Sequence, residues 1–478
     1  MMTLKPVKFL ILILSLSLLS CASELKLGSS DAPEGALNRS SDLLPYIQVL
    51  TDAPILNEPK VGGEMRIFER NELTHSQSMG IEYRGSTSYR MSDKKSFGVE
   101  TWDETGNDLS VELLGMPAEE DWILMGQVFR APNTLFDTTF LFHRLGYELF
   151  RSMGNYAARS RFVELEINGE YLGIYLLMEK LKRDENRINI QSITEADNTG
   201  DALTGGYIFK IDKTSGSEVG TGQPLSYFDN NWDDDARYTE AVSFRSDFSI
   251  FGEELQEAPF GEPYHANQYL ETYFVYEYPD YKLITSEQKS YLQNEIGQFE
   301  RALLARDGSY TNFIDLQSFV DYFILNELTM NEDAYRLSTF LYKDRNGPIH
   351  LGPVWDLNIG YHRKWNRVPE SDWIANYNDY IGEDAWMVPF WWDILLEDEA
   401  FKNLLKSRWQ TLRSGALQIS TIESKIDADV KTLKDSGAIE RNFERWTGIE
   451  VDYDAEISAL KDYLIRRINW MDQKITQM

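Results

Sequence analysis

The segment NELTMNEDAYRLSTFLYKDRNGPIHLGPVWDLNIGY, residues 326–361, has the pattern that most strongly indicates a functional site in this chain. Two apolar runs, Ser338–Tyr342 and Ile349–Val354, flank a short turn that contains Asn-Gly, and this pattern predicts a β-hairpin. Such a hairpin brings Asp333, which precedes it, close in space to Asp356, which follows it.

Two neighbouring carboxylates can have different roles in one reaction. Asp333 can act as a general base, while Asp356, with the amide oxygen of Asn358 beside it, can hold Mg²⁺. The alternative is that both acids only shape turns, because isolated motifs often match by chance. His350 and His362 lie on either side of Asp356, so a metal-dependent hydrolase is a further alternative.

The same segment resembles the CotH kinase family of secreted, kinase-like proteins, whose late motif reads gPvWDfD after an N-x-D motif and a strand hairpin. Two earlier blocks carry the same resemblance. YRGSTSYRMSDKKSFGVE, residues 83–100, is similar to the family's RG-S-S…pKKsy segment, and VELEINGEYLGIYLLMEKLKRDENRI, residues 163–188, is similar to its v-l-iNGeYlGlYll-E segment. The resemblance extends over nearly the whole mature chain.

The resemblance implies an α+β fold, with a two-lobed kinase-like domain that has a β-rich N-terminal lobe and a mainly helical C-terminal lobe. It implies that Asp333 is the catalytic base and that Asp356 and Asn358 bind Mg²⁺. The family more often has Asp at the position of Asn358. Ser338 lies five residues after Asp333, where ordinary protein kinases place a metal-binding Asn, so its hydroxyl is a further candidate ligand.

The family match also implies a phosphate-binding side of the site. Small residues at 85–88 let backbone N–H groups approach phosphate oxygens, and Arg84, Lys94 or Lys95 adds positive charge. Glu179, at the end of a buried-looking strand, is expected to pair with the phosphate-binding lysine, as in kinases. The alternatives are a solvated strand edge for the lysines and a solvent-exposed strand end for Glu179.

The amino-acid composition limits the classes of molecule that this protein is expected to bind. The chain has 478 residues, with 77 acidic and 47 basic side chains and a net charge of −30. A nucleic-acid partner is not expected, because phosphate backbones bind basic faces. ATP remains possible, since a nucleotide needs only a local basic pocket and a metal. The aromatic clusters, such as residues 389–392, predict core packing better than a sugar-binding platform.

The N-terminus has the pattern of an exported lipoprotein. Lys5 and Lys8 precede an apolar run too short to span a bilayer, and Leu-Leu-Ser-Cys follows. This sequence resembles a lipobox, which implies that Cys21 is lipid-modified and anchors the protein to the cell envelope, on the periplasmic or the outward face. A plain signal peptide is the alternative.

The predicted organisation has five parts, and it assigns a signal peptide, a tether, two lobes and a connection between the lobes. A helix is predicted over Thr134–Arg151 and another from a capping box at Thr285. The acidic run at 229–235 is interpreted as a solvated loop rather than a Ca²⁺ site. The parts are a lipoprotein signal peptide (1–20), a flexible tether (21–44), the N-lobe (45–213), an acidic loop-rich connection (214–284) and the C-lobe (285–478).

The expected function is that of an atypical exported protein kinase. It would transfer the γ-phosphate of ATP to Ser/Thr hydroxyls of exported or surface proteins, and it would need Mg²⁺. The alternative is a surface adhesion or assembly module on a degenerate kinase-like fold, with no catalysis.

Overall fold

The computed structural model describes residues 44–214, 232–361 and 366–478. The predicted signal peptide, the lipidation site Cys21, the tether up to residue 43, residues 229–231 of the acidic run and His362 lie outside the described residues. In the described part of that run Asp234 and Asp235 are buried, so the interpretation as a solvated loop is wrong there. No helix in the described ranges is long and apolar enough to cross a membrane.

The first part of the chain is dominated by strands. Residues 46–179 form β1 (Tyr46–Thr51), β2 (Val61–Glu69), β3 (Glu72–Arg84), α1 (Thr87–Met91), β4 (Ser96–Trp102), β5 (Val111–Leu113), β6 (Met116–Glu119), β7 (Asp121–Met125), β8 (Phe129–Arg130), β9 (Thr134–Leu135), α2 (Phe142–Ser152), β10 (Ser160–Ile167) and β11 (Glu170–Glu179). The long strands close into a barrel in the order β1-β10-β11-β7-β4-β3-β2.

The barrel forms because its strands alternate between apolar and polar residues. In β1, Ile47 and Val49 are fully buried inside the barrel, while Gln48 between them is only partly buried. The predicted hairpin from β10 to β11 is confirmed. Its turn residues, Asn168 and Gly169, have φ angles of 51° and 83°, which this residue pair adopts readily.

The second part of the chain combines a small sheet with most of the helices. It contains α3 (Gly200–Leu203), β12 (Tyr207–Ile211), β13 (Ser243–Arg245), β14 (Tyr273–Tyr278), α4 (Ser286–Leu304), α5 (Leu316–Thr329), β15 (Thr339–Lys343), β16 (Ile349–Leu351), α6 (Tyr377–Tyr380), α7 (Trp391–Glu397), α8 (Glu399–Arg413), α9 (Ile419–Asp435), α10 (Ala438–Arg445) and α11 (Tyr453–Gln477). Short 3-10 helices occur at Trp232–Ala236, Gln268–Leu270, Ser309–Asn312 and Ile374–Asn376.

The second sheet has the strand order β13-β14-β12-β15-β16. The hairpin predicted after Asp333 is confirmed, since β15 and β16 pair antiparallel with Leu341 opposite Leu351. This sheet takes strands from all three of the regions that the sequence assigned to the N-lobe, the connection and the C-lobe. The chain therefore has an α+β fold, with a β-rich N-terminal region and a helical C-terminal region.

Two helix predictions had different outcomes. The capping box at Thr285 is confirmed, with Gln288 as its reciprocal partner. The helix predicted over Thr134–Arg151 is wrong in its first half, because α2 begins only at Phe142. Phe140 has a φ of 65°, which a right-handed helix cannot contain, and residues 134–135 form β9 instead.

One hydrophobic core joins the two parts of the chain. Ile123 and Met178 from the barrel belong to the same buried cluster as residues of α2, α5, α8 and α11. Trp391 and Trp392, from the aromatic run at 389–392, are buried in this cluster, which agrees with the prediction of core packing.

Candidate functional site

A cavity of about 490 Å³ is lined by both parts of the chain. One side is formed by residues of β3, β4, β7 and β11 and by the loop at 85–88. The other side is formed by the second sheet, the segment after α5 and the turn after β16. Of the residues predicted for the site, the cavity lining includes Arg84, Asp333, Ser338, Asp356 and Asn358.

Asp333 lies just after the end of α5, on the segment that leads into β15. Its side chain is 23% exposed, and its Oδ1 accepts a hydrogen bond of 2.9 Å from Nη2 of Arg336. Burial raises the pKa of the Asp333 carboxyl. Arg336 opposes that rise, and the negative charge of Asp356 adds to it. The carboxylates on either side of the hairpin are thus close enough to interact.

Arg336 is held firmly in place beside Asp333. Its Nε donates to the carbonyl of Glu332 at 2.7 Å, and its Nη1 donates to the carbonyl of Trp386 at 3.2 Å. Its guanidinium also lies 4.2 Å from the ring centre of Tyr377. Because these contacts fix Arg336, the hydrogen bond from its Nη2 fixes the orientation of the Asp333 carboxylate.

Asp356 occupies a turn with a φ of 51°, in the left-handed region. Its backbone N–H donates to the hydroxyl of Tyr147 at 3.3 Å, and its Oδ1 lies 3.4 Å from Nε2 of His143. His143 and Tyr147 are four residues apart on α2, so they project from the same face of that helix. The Asp356 side chain is 35% exposed, which leaves it accessible from the cavity.

Helix α2 approaches this turn closely because residue 146 is glycine. A Cβ atom at Gly146 would lie 2.1 Å from Cδ1 of Leu357, whose side chain is fully buried. At the far end of the turn, the Tyr361 hydroxyl donates to the carbonyl of Phe142 at 3.1 Å. The turn that carries Asp356 is therefore packed along its length against α2.

Asn358 and Ser338 complete the predicted metal ligands. The Oδ1 atom of Asn358 is buried and has no hydrogen-bond partner within the described ranges, although a buried amide oxygen normally has one. Carboxylate and amide oxygens are the donors that Mg²⁺ accepts, so Asp356 and Asn358 fit such an ion chemically. Ser338 also faces the cavity, and its backbone N–H binds the carboxylate of Asp212.

Several cations line the same cavity as the acids, among them Arg84, Lys210 and Lys213. The Arg84 guanidinium lies 5.6 Å from the ring centre of Trp355, next to Asp356. The Nζ of Lys210 lies 3.0 Å from Oε2 of Glu277, and the charge of Lys213 lowers the pKa of Asp333. Sequence reasoning missed both lysines and also His143, because none of them falls in a recognisable motif. The available signal was the alternation of Lys210 and Asp212 at the end of a strand, followed directly by Lys213.

Lys94 is placed differently from its prediction. It does not line the cavity and is only 1% exposed. Its Nζ donates to Oε1 of Gln127 at 2.5 Å, to the carbonyl of Ile174 at 2.7 Å and to Oδ1 of Asn442 at 2.8 Å. These bonds use all three hydrogens of an ammonium group, so Lys94 connects the barrel to α10 and has no donor left for a phosphate.

Lys95 and Glu179 also lie outside the cavity lining. Lys95 donates to the carbonyls of Tyr89 and Ser92, each at 2.7 Å. Among the described residues, Glu179 does not pair with a lysine as expected. Its fully buried carboxylate instead accepts bonds from the backbone N–H and the guanidinium of Arg159 and from the hydroxyl of Tyr156. Both residues therefore stabilise local structure.

His350 does not lie where a hydrolase site would require it. Its Nδ1 is 3.8 Å from Asp315, and it is absent from the cavity lining. Among the described residues, the histidine that lies beside Asp356 is His143.

Acids and cations that face one cavity are the components that phosphoryl transfer requires. Residues 81–471, most of the chain, match the family model described as CotH kinase protein. The chain belongs to the CotH kinase family. A search of curated proteins finds no match.

Proposed function

We propose that this protein is an atypical exported kinase that transfers the γ-phosphoryl group of ATP to serine or threonine hydroxyls of exported or surface proteins. In this proposal the barrel is the N-terminal lobe of a two-lobed kinase-like domain, the helical region is the C-terminal lobe, and the cavity holds the nucleotide. The observation that carries it is that Asp333 and Asp356 line one cavity together with Arg84, Lys210 and Lys213.

Asp333 is the proposed general base. As the oxygen of the acceptor hydroxyl forms its bond to the γ-phosphorus, the hydroxyl proton passes to the Asp333 carboxylate, and the bond to the leaving oxygen of ADP breaks. The raised pKa of Asp333 makes its carboxylate a stronger base than an exposed aspartate. Arg336 holds that carboxylate in one orientation through its hydrogen bond.

Asp356 and Asn358 are the residues that would hold Mg²⁺, with the Ser338 hydroxyl as a further proposed ligand. When bound, the ion neutralises charge on the phosphates. Tyr147 and His143 position Asp356 from α2, through its backbone and its carboxylate respectively. Arg84 is the proposed phosphate-binding cation nearest this pair, and Lys213 adds positive charge near Asp333.

The place of the reaction follows from the N-terminal sequence. A lipid on Cys21 anchors the domain to the membrane of the cell envelope, on its periplasmic or outward face. The protein substrates are then other exported proteins, and ATP is the phosphoryl donor. The net charge of −30 makes nucleic acid an unsuitable partner.

A second candidate is a binding or assembly module that keeps the fold without catalysis. Asn358 supports it, because an amide keeps the ligand oxygen but lacks the negative charge of the Asp that the family more often has there. A module of this kind shows no phosphoryl transfer, and removal of Asp356 leaves its partner binding unchanged.

The test is transfer of radiolabelled phosphate from ATP to co-exported proteins. Asp333→Asn is expected to lower the rate by roughly 10²- to 10⁴-fold, the usual contribution of a general base. Asp462→Asn, at an exposed position of α11, is the matched control and should retain the full rate. Equal transfer by Asp333→Asn and the wild-type protein contradicts the assignment of the base.

A further inference from the structure

The contact between His143 and Asp356 is a long hydrogen bond, and its length also matches the spacing of two ligand atoms on one metal ion. Its 3.4 Å separation between Nε2 and Oδ1 exceeds the usual 2.9–3.0 Å of an N–H···O bond. Two ligand atoms that each lie about 2.0–2.2 Å from one ion are separated by roughly 3–3.5 Å. The observed spacing therefore suits an imidazole nitrogen and a carboxylate oxygen on a common cation.

Asn358 offers a candidate third donor. The Oδ1 atom of Asn358, two residues after Asp356, is buried and has no hydrogen-bond partner among the residues described. His143, Asp356 and Asn358 all line the same cavity. The His143 side chain is 8% exposed, so little water competes for its nitrogen.

Contacts between α2 and the turn that carries Asp356 maintain the distance between His143 and Asp356. Tyr147 binds the backbone N–H of Asp356 from the next turn of α2, and Gly146 permits close contact between α2 and Leu357. His143 and the turn are therefore fixed relative to each other. The imidazole nitrogen and the carboxylate oxygen are therefore already in place for a metal ion.

We propose that His143 is a metal ligand in this chain, which with Asp356 and Asn358 forms a mixed nitrogen and oxygen site that prefers a first-row transition ion such as Mn²⁺ over Mg²⁺. Mg²⁺ takes oxygen donors almost exclusively, whereas imidazole suits transition ions. With Asn at 358 the site carries one carboxylate, and the neutral imidazole adds a ligand atom without adding charge. The role of this ion in phosphoryl transfer rests on the proposed function.

The probe is Mn²⁺ added to the purified protein, with and without a non-hydrolysable ATP analogue. Pulsed electron paramagnetic resonance detects the ¹⁴N nucleus of a coordinated imidazole, and ¹⁵N-labelled protein distinguishes it from nitrogen of the nucleotide. We expect a protein nitrogen signal in the wild-type protein that is lost in His143→Asn and retained in His350→Asn. Thermal melting of each variant shows that it remains folded.

Competition between the two ions gives a second readout. Mn²⁺ is expected to bind the wild-type protein at least about tenfold more tightly than Mg²⁺. Loss of the imidazole ligand should lower Mn²⁺ affinity by at least about tenfold, since loss of an outer-shell partner of a ligand already costs that much. His143→Asn should therefore remove most of the preference, because it replaces the nitrogen donor with an amide oxygen.

The outcomes separate this inference from the proposed function. Mn²⁺ bound with the nucleotide but without a protein nitrogen signal overturns the role of His143 and leaves the kinase proposal intact. A nitrogen signal in a protein that binds no nucleotide supports the metal site and overturns the kinase proposal. If the protein binds Mn²⁺ neither with nor without the ATP analogue, the proposed metal site is wrong.

Discussion

Two regions of this protein bury charged groups in different ways. At the junction of the barrel and α10, the ammonium of Lys94 is enclosed by three oxygen acceptors from Gln127, Ile174 and Asn442. In the cavity, Asp333 forms an ion pair with one cation among the described residues, Arg336, and Asp356 remains 35% exposed. Protein atoms accept all the hydrogen bonds that the Lys94 side chain can donate. The carboxylates of Asp333 and Asp356, in contrast, keep oxygen atoms that a ligand can bind.

This difference separates structural charge from functional charge. A buried charge whose hydrogen-bonding capacity is filled by protein atoms gains nothing from a ligand, and breaking its contacts is costly. A charged group that faces a cavity and has unused hydrogen-bonding capacity can take part in binding or proton transfer. Sequence motifs do not reveal this distinction, since both kinds of residue occur in the blocks that resemble the CotH family.

The largest expected effect on stability is at the structural charge. Lys94→Met leaves three buried acceptors without their donor, so we expect a loss of about 2–4 kcal/mol in the free energy of unfolding. Denaturant unfolding measures this loss. Lys95→Met is the control, because Lys95 is more exposed and donates to two carbonyls, and its cost should stay near 1 kcal/mol. Equal costs for the two variants contradict the structural role of Lys94.

A smaller effect is expected where α2 supports the cavity acids. Gly146→Ala forces a methyl group against Leu357, and overpacking of this kind costs about 1–3 kcal/mol. Because Asp356 precedes Leu357, binding of a divalent ion should weaken in the same variant. Thermal unfolding and ion titration measure the two effects. Gly415→Ala is the control, since a Cβ there meets open space, and it should change neither.

A further expected effect, measured as a slope against pH, concerns a third kind of buried group, one that stays neutral. Burial raises the pKa of Glu300 to about 8, although Ser246 and Trp391 donate hydrogen bonds to it. The folded state then binds one more proton than the unfolded state between about pH 4.5 and 8, so stability falls as pH rises through that range.

The Glu300→Gln variant removes this contribution. The slope of unfolding free energy against pH should become less negative by about 1.4 kcal/mol per pH unit near pH 6–7. Denaturant unfolding at several pH values measures the slope. Glu287→Gln, exposed on the same helix, should keep the wild-type slope. An unchanged slope in Glu300→Gln means that Glu300 is ionised in the folded protein.

Local patterns predicted the elements that define the site. The Asn-Gly turns at 168–169 and 346–347 identified two hairpins, and the second of these correctly indicated that Asp333 and Asp356 lie near each other. These features depend on neighbours in sequence, so a single sequence contains the necessary signal.

Long-range partners could not be predicted in the same way. Lys94 and Asn442 come from opposite ends of the chain, and no local pattern relates them. Likewise His143 meets Asp356 only because Gly146 lets α2 pack on the turn, and the predicted helix began too early to single out that face. The two acids predicted from the sequence line the cavity, whereas Lys94 and Lys95, predicted with them, do not.

Calorimetric titration with a divalent ion and a non-hydrolysable ATP analogue tests most directly whether the cavity acids hold the nucleotide. Asp356→Ala should weaken binding by at least about tenfold, as expected for loss of a metal ligand, whereas folded Lys94→Met should bind like the wild-type protein. Unchanged binding by Asp356→Ala, with loss of binding in folded Lys94→Met, would contradict the assignment of the cavity as the nucleotide site.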